Sequence, residues 1–348
     1  MMSAEETEFW QRLLAAELNP SKCRELLRSL GTFSIDAVRQ SRLLSSAERE
    51  RFDTANIPAL NQALEKGARM VLPNEYPPLL QTVELVPPAL FIDGDWSCLS
   101  EPTVAIVGTR NASTYGKAVS QKFASAIASA GVTIVSGGAL GIDAAAHRGA
   151  LEVGGKTAAV MITGIDGSYP REHEALFRQI KKEGCLISQF SVGAKKLAWD
   201  TRPLARNQTI AALSQALLVI EAPFRSGALS TAHAANDLGR QIFVVPSNID
   251  NLNFKGSHSL IRDGATLVDH PDQLLEAIGI RPAERKANPI DVSDSQKLVL
   301  SVLSTTPIPS EFIVERTGLD TAQVMSELTL LELEGLVIRD AGGFACMP

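Results

Sequence analysis

The stretch VSGGALGIDAAAH, residues 135–147, decides the fold. It ends a run of β-branched residues in two adjacent glycines and then begins a segment with helical spacing. A strand that ends in glycines and leads into a helix is the repeating unit of a parallel, doubly wound sheet. Ligands of such sheets bind at the carboxyl ends of the strands. The stretch therefore predicts an α/β fold with a ligand site beside its glycine turn.

Similar apolar runs occur on both sides of this stretch and alternate with segments of helical period. This alternation is typical of a mostly parallel sheet that is covered by helices on both faces. The predicted strands, in chain order, are TVAIVG, VTIVSG, TAAVMI, CLISQF, ALLVIEA, QIFVVP and ATLVD.

Pattern and composition divide the chain into four parts. Residues 1–66 are charged and helical in pattern, residues 67–279 carry the sheet, and residues 280–294 form a linker with many charges and two prolines. Residues 295–348 contain three helical segments and a final hairpin pattern, which is the order of a winged helix. We expect a doubly wound core between a small N-terminal helical module and a C-terminal winged-helix domain.

The composition is that of a soluble globular protein, with 45% hydrophobic residues and a net charge of -6. The acidic N-terminus has no apolar signal segment and no apolar run could cross a bilayer, so we expect a cytoplasmic protein with no membrane partner. Four cysteines stand singly, which favours neither zinc nor disulfides. The negative charge argues against a protein that coats nucleic acid with its whole surface, but it allows a local basic pocket.

The first glycine turn of the sheet carries an arginine, Arg110, in AIVGTR. Ser113 or Thr114 can cap the helix that follows, and the free N–H groups at a helix start bind anions, which a guanidinium would assist. A dinucleotide fingerprint is excluded because it needs glycine where Arg110 and Ser113 stand. The alternative is a tight turn with a surface arginine.

Asp143 and His147 lie one helical turn apart in the opening stretch. They could be two metal ligands, but no third ligand stands at a suitable spacing, so we expect no metal. Instead, we expect Asp143 to cap N–H groups at the helix start and His147 to make a buried hydrogen bond that fixes the glycine loop.

Two later segments point to the same edge of the sheet. EAPFRSGALSTAHAA opens a second hydroxyl-rich helix start at Ser226 and Gly227. GAKKLAWDTRPLARNQ interleaves cations with a tryptophan, a pattern that suits the phosphates and unstacked bases of single-stranded nucleic acid. An ordinary solvated loop with an anchoring tryptophan is the alternative. The residues concerned are Lys195, Lys196, Trp199, Arg202 and Arg206.

Many ordered motifs resemble the DNA-processing protein A family, known as DprA or Smf. They run from YPPLL through AIVGTR, SGGALGIDAAAH, ARN and SGALSTAHAA to LIRDGA. The resemblance implies an extended Rossmann-like core that binds single-stranded DNA without sequence preference and catalyses no reaction. It also implies a homodimer that loads a RecA-type recombinase in natural transformation, with no cofactor. The DNA pocket that it implies is lined by Arg110, Ser136, Gly137, Arg206, Asn207, Ser226 and Gly227.

The sequence departs from the usual family pattern around this pocket. A second arginine, a glutamate, a polar residue, a glycine and an asparagine of that pattern are replaced, so we expect a less basic pocket. The departing residues are Gln208, Gln189, Leu140, Ser247 and His258.

Two other functions are weighed against DNA binding. A Rossmann-like nucleotide-processing enzyme would need a PGGxGT loop or a nucleophile with its base, and the sequence has neither. A winged-helix transcription regulator would need cations on its third helix. From residue 293 to 348 there are eight acidic and three basic residues, a net charge of -5. We therefore expect this tail to contact protein or to be structural.

Overall fold

The computed structural model describes residues 3–31, 33–84, 86–194, 202–281, 292–304, 306–333, 335–340 and 342–346. The chain forms two compact units, Met1–Ala283 and Glu284–Pro348. In the described ranges, none of the helices is long and apolar enough to cross a membrane.

A nine-stranded sheet organises the first unit, in the order β1-β2-β6-β5-β4-β3-β7-β8-β9. All seven predicted runs form strands, and these strands pair in parallel. Two further strands extend the sheet in antiparallel fashion beside β6. The strands are β1 (Arg69–Val71), β2 (Leu90–Gly94), β3 (Thr103–Val107), β4 (Thr133–Ser136), β5 (Thr157–Val160), β6 (Cys185–Ser188), β7 (Ala216–Val219), β8 (Gln241–Val244) and β9 (Thr266–Leu267).

Helices cover both faces of the sheet, as predicted. Alternate residues of β3 show why: Val104 and Ile106 pack on one face, while Ala105 and Val107 pack on the other. A strand that is buried on both sides needs apolar residues throughout, which explains the unbroken run TVAIV. The helices that follow β1 in the first unit are α6 (Pro78–Gln81), α7 (Thr114–Ser129), α8 (Ile142–Glu152), α9 (Glu174–Glu183), α10 (Arg202–Ala212), α11 (Gly227–Asp237), α12 (Lys255–Arg262) and α13 (Pro271–Ala277).

The strand order reverses at β3. The chain leaves β3 through α7 to reach β4 on one side, whereas β7 lies on the other side of β3. The connections after β3 and β7 therefore diverge, and a crevice opens at the carboxyl ends of these two strands.

Five short helices precede the sheet. Phe9 and Leu13 share one apolar cluster with Phe91, Met161 and Phe177, so these helices form part of the core of the first unit. The boundary near residue 66 stays a prediction. The helices are α1 (Ala4–Ala15), α2 (Pro20–Leu30), α3 (Ile35–Gln40), α4 (Ser46–Asp53) and α5 (Ile57–Glu65).

The second unit has the predicted winged-helix order of three helices and a hairpin. Val299, Ile313, Val324, Leu328 and Phe344 form its core, with at least one residue from each helix and from the hairpin. Its elements are α14 (Asp294–Val302), α15 (Ser310–Thr317), α16 (Thr321–Leu333), β10 (Val337–Asp340) and β11 (Gly343–Cys346).

Candidate functional site

A cleft of about 450 Å³ occupies the crevice between β3 and β7. Its walls come from four parts of the chain that are distant in sequence: the turn after β3, the glycine loop after β4, helix α10, and the segment between β7 and α11. Ligands of open parallel sheets bind at this position.

The turn after β3 is fixed by a buried carboxylate at the end of β7. Glu221 accepts hydrogen bonds from the Ser113 amide at 3.1 Å and from the Ser113 hydroxyl at 2.8 Å. Ser113 in turn caps α7 by accepting from the Gly116 amide at 2.9 Å, as predicted. The backbone of Thr109 also donates to the Glu221 carbonyl at 2.7 Å. This turn therefore holds Arg110 in place at the cleft, where its side chain is exposed.

The glycine loop lies directly against this turn because Gly141 has no side chain. Its φ is +81°, and a Cβ there would collide with the carbonyl oxygens of Thr109 and Arg110. Only glycine adopts such a backbone freely and allows two backbones to approach this closely.

A buried arginine from α10 crosses the glycine loop. Arg206 is 6% exposed, and its Nη1 lies 3.8 Å from Oδ2 of the equally buried Asp143. Its guanidinium occupies the position that a Cβ on Gly137 would take. Among the described residues, Nε and Nη1 of Arg206 have no hydrogen-bond partner. A buried guanidinium with unused donors at a cleft is a site for an anion.

Burial sets the charge balance of this pair. It raises the pKa of Asp143, which Arg206 and the amides of Ala139 and Gly137 counteract. Burial also lowers the pKa of Arg206, and Asp143 opposes this change. The guanidinium of an arginine keeps its proton in proteins, so Arg206 remains a cation beside Asp143.

The second candidate anion-binding element is the start of α11, where backbone N–H groups are free of helical partners. Ser226 caps it by accepting from the Ala228 amide at 3.2 Å. Asn207 of α10 donates from Nδ2 to the Gly227 carbonyl at 3.1 Å and to the Ser230 hydroxyl at 2.6 Å. Asn207 therefore ties α10, and with it Arg206, to this helix start.

Comparison with known proteins identifies the family. Residues 68–279 match the family model described as DNA recombination-mediator protein A, and residues 281–343 match that of the DprA winged helix domain. The chain belongs to the DNA recombination-mediator protein A family.

Individual members agree with this family assignment. Protein Smf from Escherichia coli is 35% identical over 279 residues, which cover 77% of this chain and 74% of that protein. DNA processing protein A from Streptococcus pneumoniae is 30% identical in a structural match with a TM-score of 0.67, covering 80% of this chain and 98% of that one. DNA processing protein A from Helicobacter pylori, whose structure was described for its unique single-stranded DNA binding mode, is 27% identical with a TM-score of 0.55, covering 61% and 95%.

The structure brings together most of the residues that the family resemblance implied. Ser136 is an exception, because it is fully buried beneath the loop and its hydroxyl donates to the Ile106 carbonyl at 2.7 Å. Arg202 lies one turn before Arg206, with its guanidinium 5.5 Å from the centre of the Phe190 ring, and does not line the cleft. Lys195, Lys196 and Trp199 lie outside the described residues. The implied residues that line the cleft are Arg110, Arg206, Asn207, Ser226 and Gly227, while Gly137 lines a small neighbouring cavity together with Arg110 and Arg206.

The expected cap by Asp143 was wrong, whereas the expected buried hydrogen bond of His147 is confirmed but does not involve the glycine loop. Asp143 accepts from the Ala139 amide at 3.3 Å, so it holds the glycine loop and does not cap α8. His147 bonds through Nδ1 to the Thr157 hydroxyl at 2.7 Å, away from the loop. Thr157 donates its own proton to Ile134, so His147 carries its proton on Nδ1. The loop folds back over the helix start, which helical spacing does not reveal.

Sequence reasoning missed two residues at the mouth of the cleft. Phe224 is 70% exposed, and Arg225 places its guanidinium 5.7 Å from the centre of that ring. Both line the cleft. The available signal was an aromatic residue and an arginine directly before the helix cap in EAPFRSG.

Three of the five departures from the family pattern make hydrogen bonds in the structure. Gln189 accepts a hydrogen bond from the Thr209 hydroxyl on α10. The His258 ring contacts the Ser247 carbonyl through Nε2 at 3.1 Å, so two of the departures meet. Leu140 is 44% exposed and lines a small cavity of about 30 Å³ beside Arg110 and Arg206. The wall of this small cavity is apolar at Leu140, where the usual family pattern has a polar residue.

Proposed function

We propose that this chain binds single-stranded DNA without sequence preference at the cleft between β3 and β7, and that it catalyses no reaction and needs no cofactor. The observation that carries the proposal is the guanidinium of Arg206, which is buried against Gly137 with Nε and Nη1 unpaired among the described residues. Together with Arg110 and the start of α11, it suits the phosphates of a DNA backbone. Phosphate contacts carry no sequence information.

Two further features favour a single strand over a duplex. An exposed aromatic ring at the mouth of the cleft offers a surface to a base only if that base is unstacked. The net charge of -6, and of -5 within residues 293–348, opposes the broad phosphate contacts that a duplex binder needs. The described DNA binding mode of the Helicobacter pylori relative supports the same choice.

The proposal includes partners. The family is described as recombination mediators, which supports the loading of a RecA-type recombinase onto bound DNA during natural transformation in the cytoplasm. We also propose a homodimer. Sedimentation equilibrium would report the dimer, and recombinase assembly on oligo-dT with and without this protein would report loading.

The test is a titration of Arg110→Ala with labelled oligo-dT and with the matching duplex at several salt concentrations. Losing one phosphate contact should weaken single-strand binding for every sequence alike and flatten the log-log salt slope by about 0.7. Arg178→Ala is the matched control, since Arg178 is exposed on α9, pairs with Glu174 and does not line the cleft. An unchanged affinity and slope in folded Arg110→Ala protein would contradict the proposal, as would duplex binding as tight as single-strand binding.

A further inference from the structure

The segment between β7 and α11 combines an exposed ring with a constrained backbone. Phe224 is 70% exposed, although large aromatic side chains usually bury most of their surface. Arg225 has a φ of +65°, one of two positive values among the described residues other than glycine. Non-glycine residues persist in this conformation only where the surroundings impose it, often at ligand sites.

The side chain of Arg225 contacts the ring of Phe224. The Arg225 guanidinium lies 5.7 Å from the ring centre of Phe224, within the range of a cation–π contact. The next residue, Ser226, caps α11, so the backbone that follows Arg225 is held by this cap. Arg225 therefore contacts the exposed ring of Phe224 where that ring lines the cleft.

The cleft that Phe224 lines is also lined by the two arginines that are proposed to bind phosphate. Arg110, Arg206 and Phe224 belong to the same cavity of about 450 Å³. A nucleotide whose phosphate contacts the two arginines would bring its base toward the cavity mouth. Every base has a π face, so an aromatic ring there binds any unstacked base.

We propose that Phe224 is a stacking platform for one DNA base and that Arg225 is the residue that positions it. This inference rests on the proposed function and adds a base contact to the phosphate contacts. It makes the affinity depend on unstacked bases without selecting a sequence.

The experiment compares Phe224→Ala, Phe224→Leu and Phe224→Trp on two ligands. One is labelled oligo-dT and the other is an abasic phosphodiester oligomer of equal length. We expect Phe224→Ala and Phe224→Leu to bind oligo-dT about tenfold more weakly, since leucine keeps apolar area but has no π face. Phe224→Trp should bind as the unchanged protein does. All variants should bind the abasic oligomer equally, with the same salt slope, because no charge is removed.

Arg225→Gly tests the positioning role. Glycine adopts a positive φ without strain, so the midpoint of thermal unfolding should not fall. Affinity for oligo-dT should nevertheless fall severalfold while the affinity and salt slope for the abasic oligomer stay unchanged, which separates positioning of the ring from the loss of a phosphate contact. The matched control for Phe224→Ala is Phe312→Ala, which removes another exposed phenylalanine ring, in the second unit, and should leave oligo-dT binding unchanged.

The outcomes separate this inference from the proposed function. If Phe224→Ala binds oligo-dT as tightly as the unchanged protein while Arg110→Ala does not, the stacking role is wrong and the proposed function stands. An equal loss on the abasic oligomer also overturns the stacking role. If the unchanged protein shows no salt-dependent binding to oligo-dT, both fail.

Discussion

Replacing Gly137 by alanine should move Arg206 while leaving the fold in place. An added Cβ would overlap Nη1 of Arg206, and it would lie 2.5 Å from Cζ and 2.8 Å from Oδ2 of Asp143. Carbon atoms need about 3.5 Å or more, so the guanidinium must shift by roughly 2 Å. The φ of Gly137 is not positive, so alanine brings no backbone strain.

The cost follows from the distance between the two charges. At 3.8 Å and an effective dielectric constant of about 20, the attraction between Arg206 and Asp143 is about 4.4 kcal/mol. A shift to roughly 5.8 Å reduces it to about 2.9 kcal/mol. We therefore expect Gly137→Ala to lower the free energy of unfolding by about 1.5 kcal/mol, which a domain of this size tolerates.

Gly137→Ala should weaken DNA binding more than it lowers the free energy of unfolding, because the displaced guanidinium of Arg206 no longer faces the phosphate site. A charge-assisted hydrogen bond contributes about 1.5–3 kcal/mol, so oligo-dT affinity should fall at least tenfold, with a salt slope flatter by about 0.7. Urea unfolding and fluorescence anisotropy measure the two effects. If Gly137→Ala binds oligo-dT as the unchanged protein does, Arg206 does not contact phosphate from this position. A loss of stability near 5 kcal/mol would instead mean that the side chain cannot move.

Three further perturbations have defined outcomes. Burial lowers the pKa of His147 to about 3, whereas a histidine in the unfolded chain has its usual pKa of about 6.5. Below pH 6.5 the unfolded chain therefore binds more protons than the folded one, and the free energy of unfolding should fall by about 2 kcal/mol between pH 6.5 and 5. The fall should be smaller in His147→Gln, as urea midpoints would show. Equal pH dependence in both proteins would refute this role of His147. Gly227→Ala places its Cβ in open space within the cleft, so the thermal midpoint should hold while oligo-dT affinity falls; an unchanged affinity would mean that DNA does not approach this backbone. A chain that ends at Ile290 should keep its oligo-dT affinity, and a loss beyond tenfold, or about 1.4 kcal/mol, would show that the acidic tail takes part.

Local sequence signals account for the fold. The seven parallel strands were predicted because each is a short apolar run next to a helical period, and the caps at Ser113 and Ser226 because hydroxyl residues precede helices. The winged helix followed from the same periodicity. β1 and β2 were not predicted, since three and five residues carry too little pattern to reveal antiparallel pairing beside β6.

The site was predictable in position but not in contacts. Its location at the glycine turns follows from the sheet type. The crossing of Arg206 over Gly137, however, joins residues that are far apart in sequence, and no spacing rule connects them. The burial of Ser136 depends on its contact with Ile106 of a neighbouring strand. Solvent exposure of a side chain likewise depends on tertiary structure, so the sequence alone does not distinguish Phe224 from a buried apolar residue before a helix.

The N-terminal helices limit how the chain can be divided. The side-chain amide of the fully buried Gln11 donates to the Val192 carbonyl at 3.1 Å and accepts from the Val192 amide at 3.0 Å. Val192 follows β6, so a helix near the chain start is bonded to the loop after that strand. Cutting at residue 66 would break both bonds and expose Phe91 and Phe177. A sheet expressed without its first helices would therefore expose apolar surface that the longer chain buries, which favours aggregation.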